Sequence, residues 1–139
     1  APDITSTLAY ACNTQNSLIT ALLGGTNIPL PNNQVLNNVT VNGANTVFTL
    51  QTGGRYRISY HINTTAAILL GSRIMINGSA FAPSRLRPIV SLSNYKNEFI
   101  VNLNAGATIS LQLFSIIIVG AATLIPNGCG ASLVIQRLS

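Results

Sequence analysis

Ser59 and His61 are the pair whose types could begin nucleophilic chemistry, with the imidazole as general base for the hydroxyl. Their spacing defeats that use. On an extended strand, side chains two residues apart share a face but sit about 7 Å from each other, beyond hydrogen-bond reach. The supporting groups are also missing. The chain has one histidine and two acids, Asp3 and Glu98, far apart in sequence. General acid–base catalysis needs such groups brought together, so the sequence predicts no catalytic residue and no enzyme. Two acids cannot build a calcium site within one chain. Cys12 and Cys129 form no CxxC motif and have no second histidine to join them. No metal and no cofactor are therefore expected.

The two cysteines have other uses. If terminal strands lie side by side, Cys12 and Cys129 could pair as a disulfide, which needs Cα atoms about 5.5 Å apart and an oxidising compartment. Buried free thiols fit equally well, and the sequence leaves both readings open. The cations are the remaining chemical groups. Six arginines (Arg55, Arg57, Arg73, Arg85, Arg87, Arg137) and Lys96 give a net charge of +5. They are scattered, whereas a nucleic-acid binder clusters cations and interleaves aromatics, so no nucleic-acid partner is expected. Only residues 84–87 approach a patch. Arg85 and Arg87 project from one side if that segment is extended, which makes them candidate contacts for an anionic glycan or phosphate. Solvated edge arginines are the plainer reading.

The elements that must position these residues read as strands. In residues 48–63, FTLQTGGRYRISYHIN, the side chains of Tyr56, Ile58, Tyr60 and Ile62 fall on every second position after Gly53 and Gly54. That is the period of a pleated strand with one buried face. Arg55, Arg57, Ser59, His61 and Asn63 occupy the other face. Asn-Gly and Gly-rich turn signals recur at residues 24–25, 42–43, 53–54, 77–78, 105–106 and 127–128. Strands are predicted at 5–14, 17–23, 34–41, 46–51, 55–64, 67–76, 86–93, 97–104, 108–119 and 130–138. No stretch shows a convincing helical period. The predicted class is an all-β sandwich, in one domain spanning residues 1–139 with N-terminal strands in 1–30.

Charged residues make up 6% of the chain and hydrophobic residues 47%, against roughly 25% charged in an ordinary soluble domain. A membrane protein and a soluble oligomer both fit such a composition. The best spanning candidate, residues 109–125, is short and holds Ser110, Gln112, Ser115, Gly120 and Thr123. Its alternation and β-branched run favour strands, so no membrane span is expected. Residues 1–10 lack the basic-then-apolar pattern of a signal peptide. Residues 108–119 turn apolar on both faces, with Phe114, Ile116 and Ile118 on one of them. Such a strand must be covered by a loop or by another subunit. The second option also accounts for the scarcity of charge, and so it is the expectation.

Gly54, Tyr56 and Tyr60 resemble the signature strand of the globular head of complement component one subcomponent q and its tumour-necrosis-factor relatives, with Ile58 in place of the usual aromatic. Residues 99–106 are similar to the strand and turn that end in Leu-x-x-Gly-Asp, with Ala107 where Asp is usual. Residues 130–137 are similar to the closing strand. Within that superfamily, Gly54, Tyr56, Ile58, Asn63, Thr64, Asn77 and Gly78 resemble the C-terminal heads of collagen-like glycoproteins of the bacterial spore exosporium. The similarity covers about residues 30–139. It implies a ten-stranded jelly roll forming a tight homotrimer that locks a collagen-like stem and caps filaments on the spore surface, outside the cell. It also implies that Arg57, Ser59 and His61 face the trimer axis with Tyr95 and Ile100 nearby. Three copies of His61 there would make a candidate pH switch or metal ligand set. The alternative it implies is a ligand or adhesion module that binds a host receptor or glycan through the outer sheet and the loops around residues 81–87.

Overall fold

The longest strand with a perfect two-residue period organises the molecule. In the computed structural model, which describes residues 6–116 and 120–139, Tyr56, Ile58, Tyr60 and Ile62 of this strand are buried, while Arg55 and Arg57 are exposed. The strand is β7 (Gly54–Ile68), an interior strand of a five-stranded antiparallel sheet ordered β10-β7-β13-β1-β4. Its partners are β1 (Leu8–Gln15), β4 (Asn32–Asn37), β10 (Leu92–Leu103) and β13 (Pro126–Arg137). A second sheet, ordered β5-β6-β11-β8-β9, packs over it. It comprises β5 (Val39–Val41), β6 (Phe48–Leu50), β8 (Leu70–Ile76), β9 (Ser79–Ala80) and β11 (Thr108–Ser115), with β3 (Thr26–Asn27) paired to β11. A short ribbon joins β2 (Leu18–Ala21) to β12 (Gly120–Thr123).

The core lies between the two sheets. Phe48, Leu50, Ile74, Ile109 and Leu111 of the second sheet meet Tyr56, Ile58, Ile62, Leu133 and Ile135 of the first, all at 2% exposure or less. Burying an aliphatic or aromatic side chain of this size stabilises by about 1.5–3 kcal/mol, so this layer holds the sheets together. The all-β sandwich agrees with the sequence reading. The boundaries differ from it at several strands. The strand predicted at 34–41 breaks at Asn38, which takes a left-handed φ of 60° and donates to Thr7 Oγ1 at 3.0 Å and Thr52 Oγ1 at 2.6 Å. The break lets the chain leave the first sheet as β4 and enter the second as β5. Of the strand predicted at 86–93, Leu86 keeps a single bridge to Ser72 and Leu92 and Ser93 open β10; between them Pro88 lacks the N–H that would extend the ladder. β12 was not predicted as a separate strand.

Polar groups pin the edge of the sandwich. The buried Tyr60 hydroxyl donates to the Ser84 carbonyl at 2.7 Å and meets Ser72 Oγ at 2.9 Å. Ser84 Oγ in turn accepts from Ile74 N at 2.8 Å and donates to Phe81 O at 2.6 Å. These bonds fix the 3-10 turn Ala82–Ser84 against β8.

The expectation that Phe114 needs another subunit to cover it is corrected here. Phe114 lies across from Gly71 and is 5% exposed within its own chain. Its ring fills the space of the missing Gly71 side chain: a Cβ there would sit 2.1 Å from Cζ. The Arg73 guanidinium lies over the ring, 4.6 Å from its centroid. Arg73 also donates to Gly24 O at 2.9 Å and to Gln112 Oε1 at 3.0 Å, and Ser115 N donates to Leu22 O at 2.9 Å. A loop of the same chain therefore seals this strand. Ile116 follows it at a half-buried bend, and Ile118 lies outside the described residues.

Two outcomes are expected. Gly71→Ala should lose about 1–3 kcal/mol in urea denaturation by crowding the Phe114 ring, and an unchanged midpoint would refute the packing described. Burial pushes the Tyr60 phenol up to about 12. The unfolded phenol ionises near 10, so the unfolded state releases its proton first as pH rises. Stability from this group is full below about pH 10 and is lost between about 10 and 12, by at most about 3 kcal/mol. Tyr60→Phe should flatten that part of the pH profile.

Candidate functional site

The outward face of the five-stranded sheet carries most of the polar residues singled out by the sequence, and cross-strand pairing arranges them in rows. One row runs Asn37, Leu8, Gln136, Arg57, Ile100. The next runs Val35, Tyr10, Val134, Ser59, Glu98, and the third brings Cys12, Ser132, His61 and Lys96 together. Arg57, Ser59, His61 and Ile100 thus share one face, as expected. Tyr95 does not. It pairs with Ile62 on the core side, is fully buried, and its hydroxyl donates to Ile68 O at 3.0 Å and Leu92 O at 3.2 Å. Counting two residues at a time from His61's neighbour Lys96 would have placed it inward, because odd and even positions of β10 face opposite ways.

The face has two unlike halves. Arg57, Lys96 and Glu98 lie on β7 and β10. The rows on β13, β1 and β4 contain no charged residue; they present Tyr10, Val134, Val35, Leu8 and Gln136. Val35 is 50% exposed and Ile100 60%, while Leu8, Tyr10 and Val134 are half-buried. Reading residues 48–63 alone missed Tyr10, Val35 and Val134. The alternation in residues 130–138 carries the signal for Val134, but its row partners require the register.

Hydrogen bonds fix the polar side chains of this face. Arg57 Nη2 donates to Gln136 Oε1 at 2.6 Å. The Asn94 amide bridges His61 Nε2 and Asn63 Oδ1, both at 2.7 Å. His61 therefore has a neighbour other than Ser59 for its ring nitrogen.

Both cysteines are free thiols. The β1–β13 pairing brings them to one corner, around the Tyr10 hydroxyl, which lies 3.2 Å from Cys129 Sγ. Cys12 Sγ donates weakly to Asn32 O at 3.5 Å and Asn33 Oδ1 at 3.6 Å. The contact with Cys129, and then burial, raise the Tyr10 phenol above its usual range. Burial, and then the Cys129 contact, raise the Cys12 thiol. Among the described residues no group of three or more His, Cys, Asp or Glu could hold a metal ion. Arg85 and Arg87 lie elsewhere, beyond the 3-10 turn and beside β8 of the second sheet. Among the described residues no helix is long and apolar enough to cross a membrane.

Two antiparallel sheets in this order, with the chain passing from one to the other at β4–β5, form a jelly-roll sandwich. The chain belongs to the BclA C-terminal domain family, whose model matches residues 9–139; this bears out the resemblance drawn from Gly54, Tyr56, Ile58, Asn63, Thr64, Asn77 and Gly78. A comparison with curated protein sequences returns no match. Among solved structures, the fold is similar to murine APRIL at pH 8.5, with a TM-score of 0.63 and 12% identity, covering 93% of this chain and 96% of that one. It is similar also to rabbit GITRL, with a TM-score of 0.57 and 16% identity over 83% of this chain and 93% of that one. Bushbaby GITRL gives a TM-score of 0.54 at 10% identity, over 93% and 91%.

Thiol titration of the native protein should show at most one reactive thiol per chain, Cys129, with Cys12 appearing only on unfolding, because Cys12 is 1% exposed and its thiol stays protonated at neutral pH. Two fast-reacting thiols in the native state would contradict this arrangement.

Proposed function

We propose that this domain is a self-assembling, non-catalytic head: three copies join through the outward face of the five-stranded sheet and cap a collagen-like filament on the spore surface. One observation carries the reading. The β13, β1 and β4 half of that face is free of charge and leaves Val35 half-exposed beside Tyr10 and Val134, while the charged groups are set toward β7 and β10. Interfaces between obligate partners have this character, with an apolar, uncharged centre and a polar rim. Arg57, Ser59, His61 and Ile100 would then line the same joint, with Arg57 oriented by Gln136. The Asn94 bridge to His61 supports a structural role for the imidazole rather than a Ser–His dyad. Membership of the BclA C-terminal domain family supports placement of the head outside the cell.

Sedimentation at micromolar concentration is expected to give a mass of three chains. Val134→Asp should yield single, still folded copies with native circular dichroism, since the side chain points out of the core and a buried unpaired carboxylate costs several kcal/mol at an interface. A well-behaved single copy of the unaltered protein would falsify the reading.

A further inference from the structure

The second sheet holds an arrangement that self-assembly through the first does not use. Ser72 and Leu86 exchange backbone hydrogen bonds of 3.0 and 2.8 Å as an antiparallel bridge. Pairing of that kind sets Arg73 across from Arg85, and Gly71 across from Arg87. Ser72 is fully buried and bonded to Tyr60, so the flanking positions face outward. Like charges directly opposite on neighbouring strands repel. Nothing acidic relieves them: Glu98, the only acid among the described residues, stands on β10 of the other sheet. Desolvation, and next the charge of Arg85, lower the Arg73 pKa, which agrees with their proximity.

The three arginines are not equivalent. Arg73 is fixed by Phe114, Gln112 and Gly24. Arg85 and Arg87 are exposed, and among the described residues no side-chain hydrogen bond engages their guanidinium groups. Each offers five donors in a planar fork that matches a carboxylate, sulfate or phosphate.

We propose that Arg85 and Arg87, with Arg73 behind them, bind the oxoanion groups of an acidic polysaccharide. Two free arginines two residues apart on an extended segment stand about 7 Å from each other, a spacing that reads successive groups along a polymer instead of enclosing one small ion. A single-stranded nucleic acid is disfavoured, because the large exposed hydrophobic side chains are all aliphatic and supply no aromatic platform for bases. The site lies on the opposite sheet from the proposed assembly face, so its test is independent of oligomeric state.

Calorimetric titration at low salt with a sulfated oligosaccharide and with an oligogalacturonate tests the proposal on the intact protein. At least one should bind, and Arg85→Gln and Arg87→Gln should each weaken it about tenfold. Arg55→Gln removes the same charge from the other sheet and should change the affinity less than about twofold. Absence of binding to both oligosaccharides overturns the site, as does an equal loss in the Arg55 variant, which would mean diffuse attraction. Inorganic sulfate binding as tightly as the oligosaccharide overturns the polymer assignment. So does equal affinity for a single-stranded oligonucleotide of the same charge.

Discussion

The two-sided demand on β7 is the constraint on which the rest of the structure depends. Its even-numbered residues from Tyr56 to Ile62 must be buried in the core, and its odd-numbered residues from Arg55 to Asn63 must face out. A slip of one residue would put two arginines and a histidine into the core. Because β7 pairs with both β10 and β13, its register sets theirs, and β13 passes the register on to β1 and β4. The rows of the outward face therefore follow from burial on the inward face.

Charge is treated differently on the two sheets. On the first, Arg57 is satisfied by Gln136, and the uncharged half of the face is left clear. On the second, Arg73 closes over Phe114 and ties down the turn at Gly24. Gly71 makes that closure possible, since any side chain there would take the ring's place. Arginine serves here as an apolar cover as well as a cation, through its planar group and aliphatic stem. A chain poor in charge and rich in apolar residues thus hides part of its greasy surface by folding over itself.

Asparagine does much of the turning. All six non-glycine residues with positive φ among the described residues are Asn: 16, 33, 38, 45, 77 and 127. Asn tolerates the left-handed region because its short amide bonds locally. At Asn77-Gly78, with φ of 53° and 80°, the sequence signal and the hairpin between β8 and β9 coincide. At Asn38 no glycine follows, and the sheet-to-sheet crossing is marked by its φ of 60° and by the amide's bonds to Thr7 and Thr52, residues distant in sequence.

The sequence by itself determined the β class, the inward set Tyr56, Ile58, Tyr60 and Ile62, the shared face of Arg57, Ser59 and His61, and the family. Each of these is written in a two-residue period or a local motif, which neighbouring residues suffice to specify. Tertiary structure alone decided that Phe114 is covered by its own chain, that Tyr95 pairs with Ile62, that Tyr10 and Val134 stand in one row, and that Arg73 meets Arg85. Those facts depend on which strands pair and in what register, and contacts between residues tens of positions apart leave no local period to read.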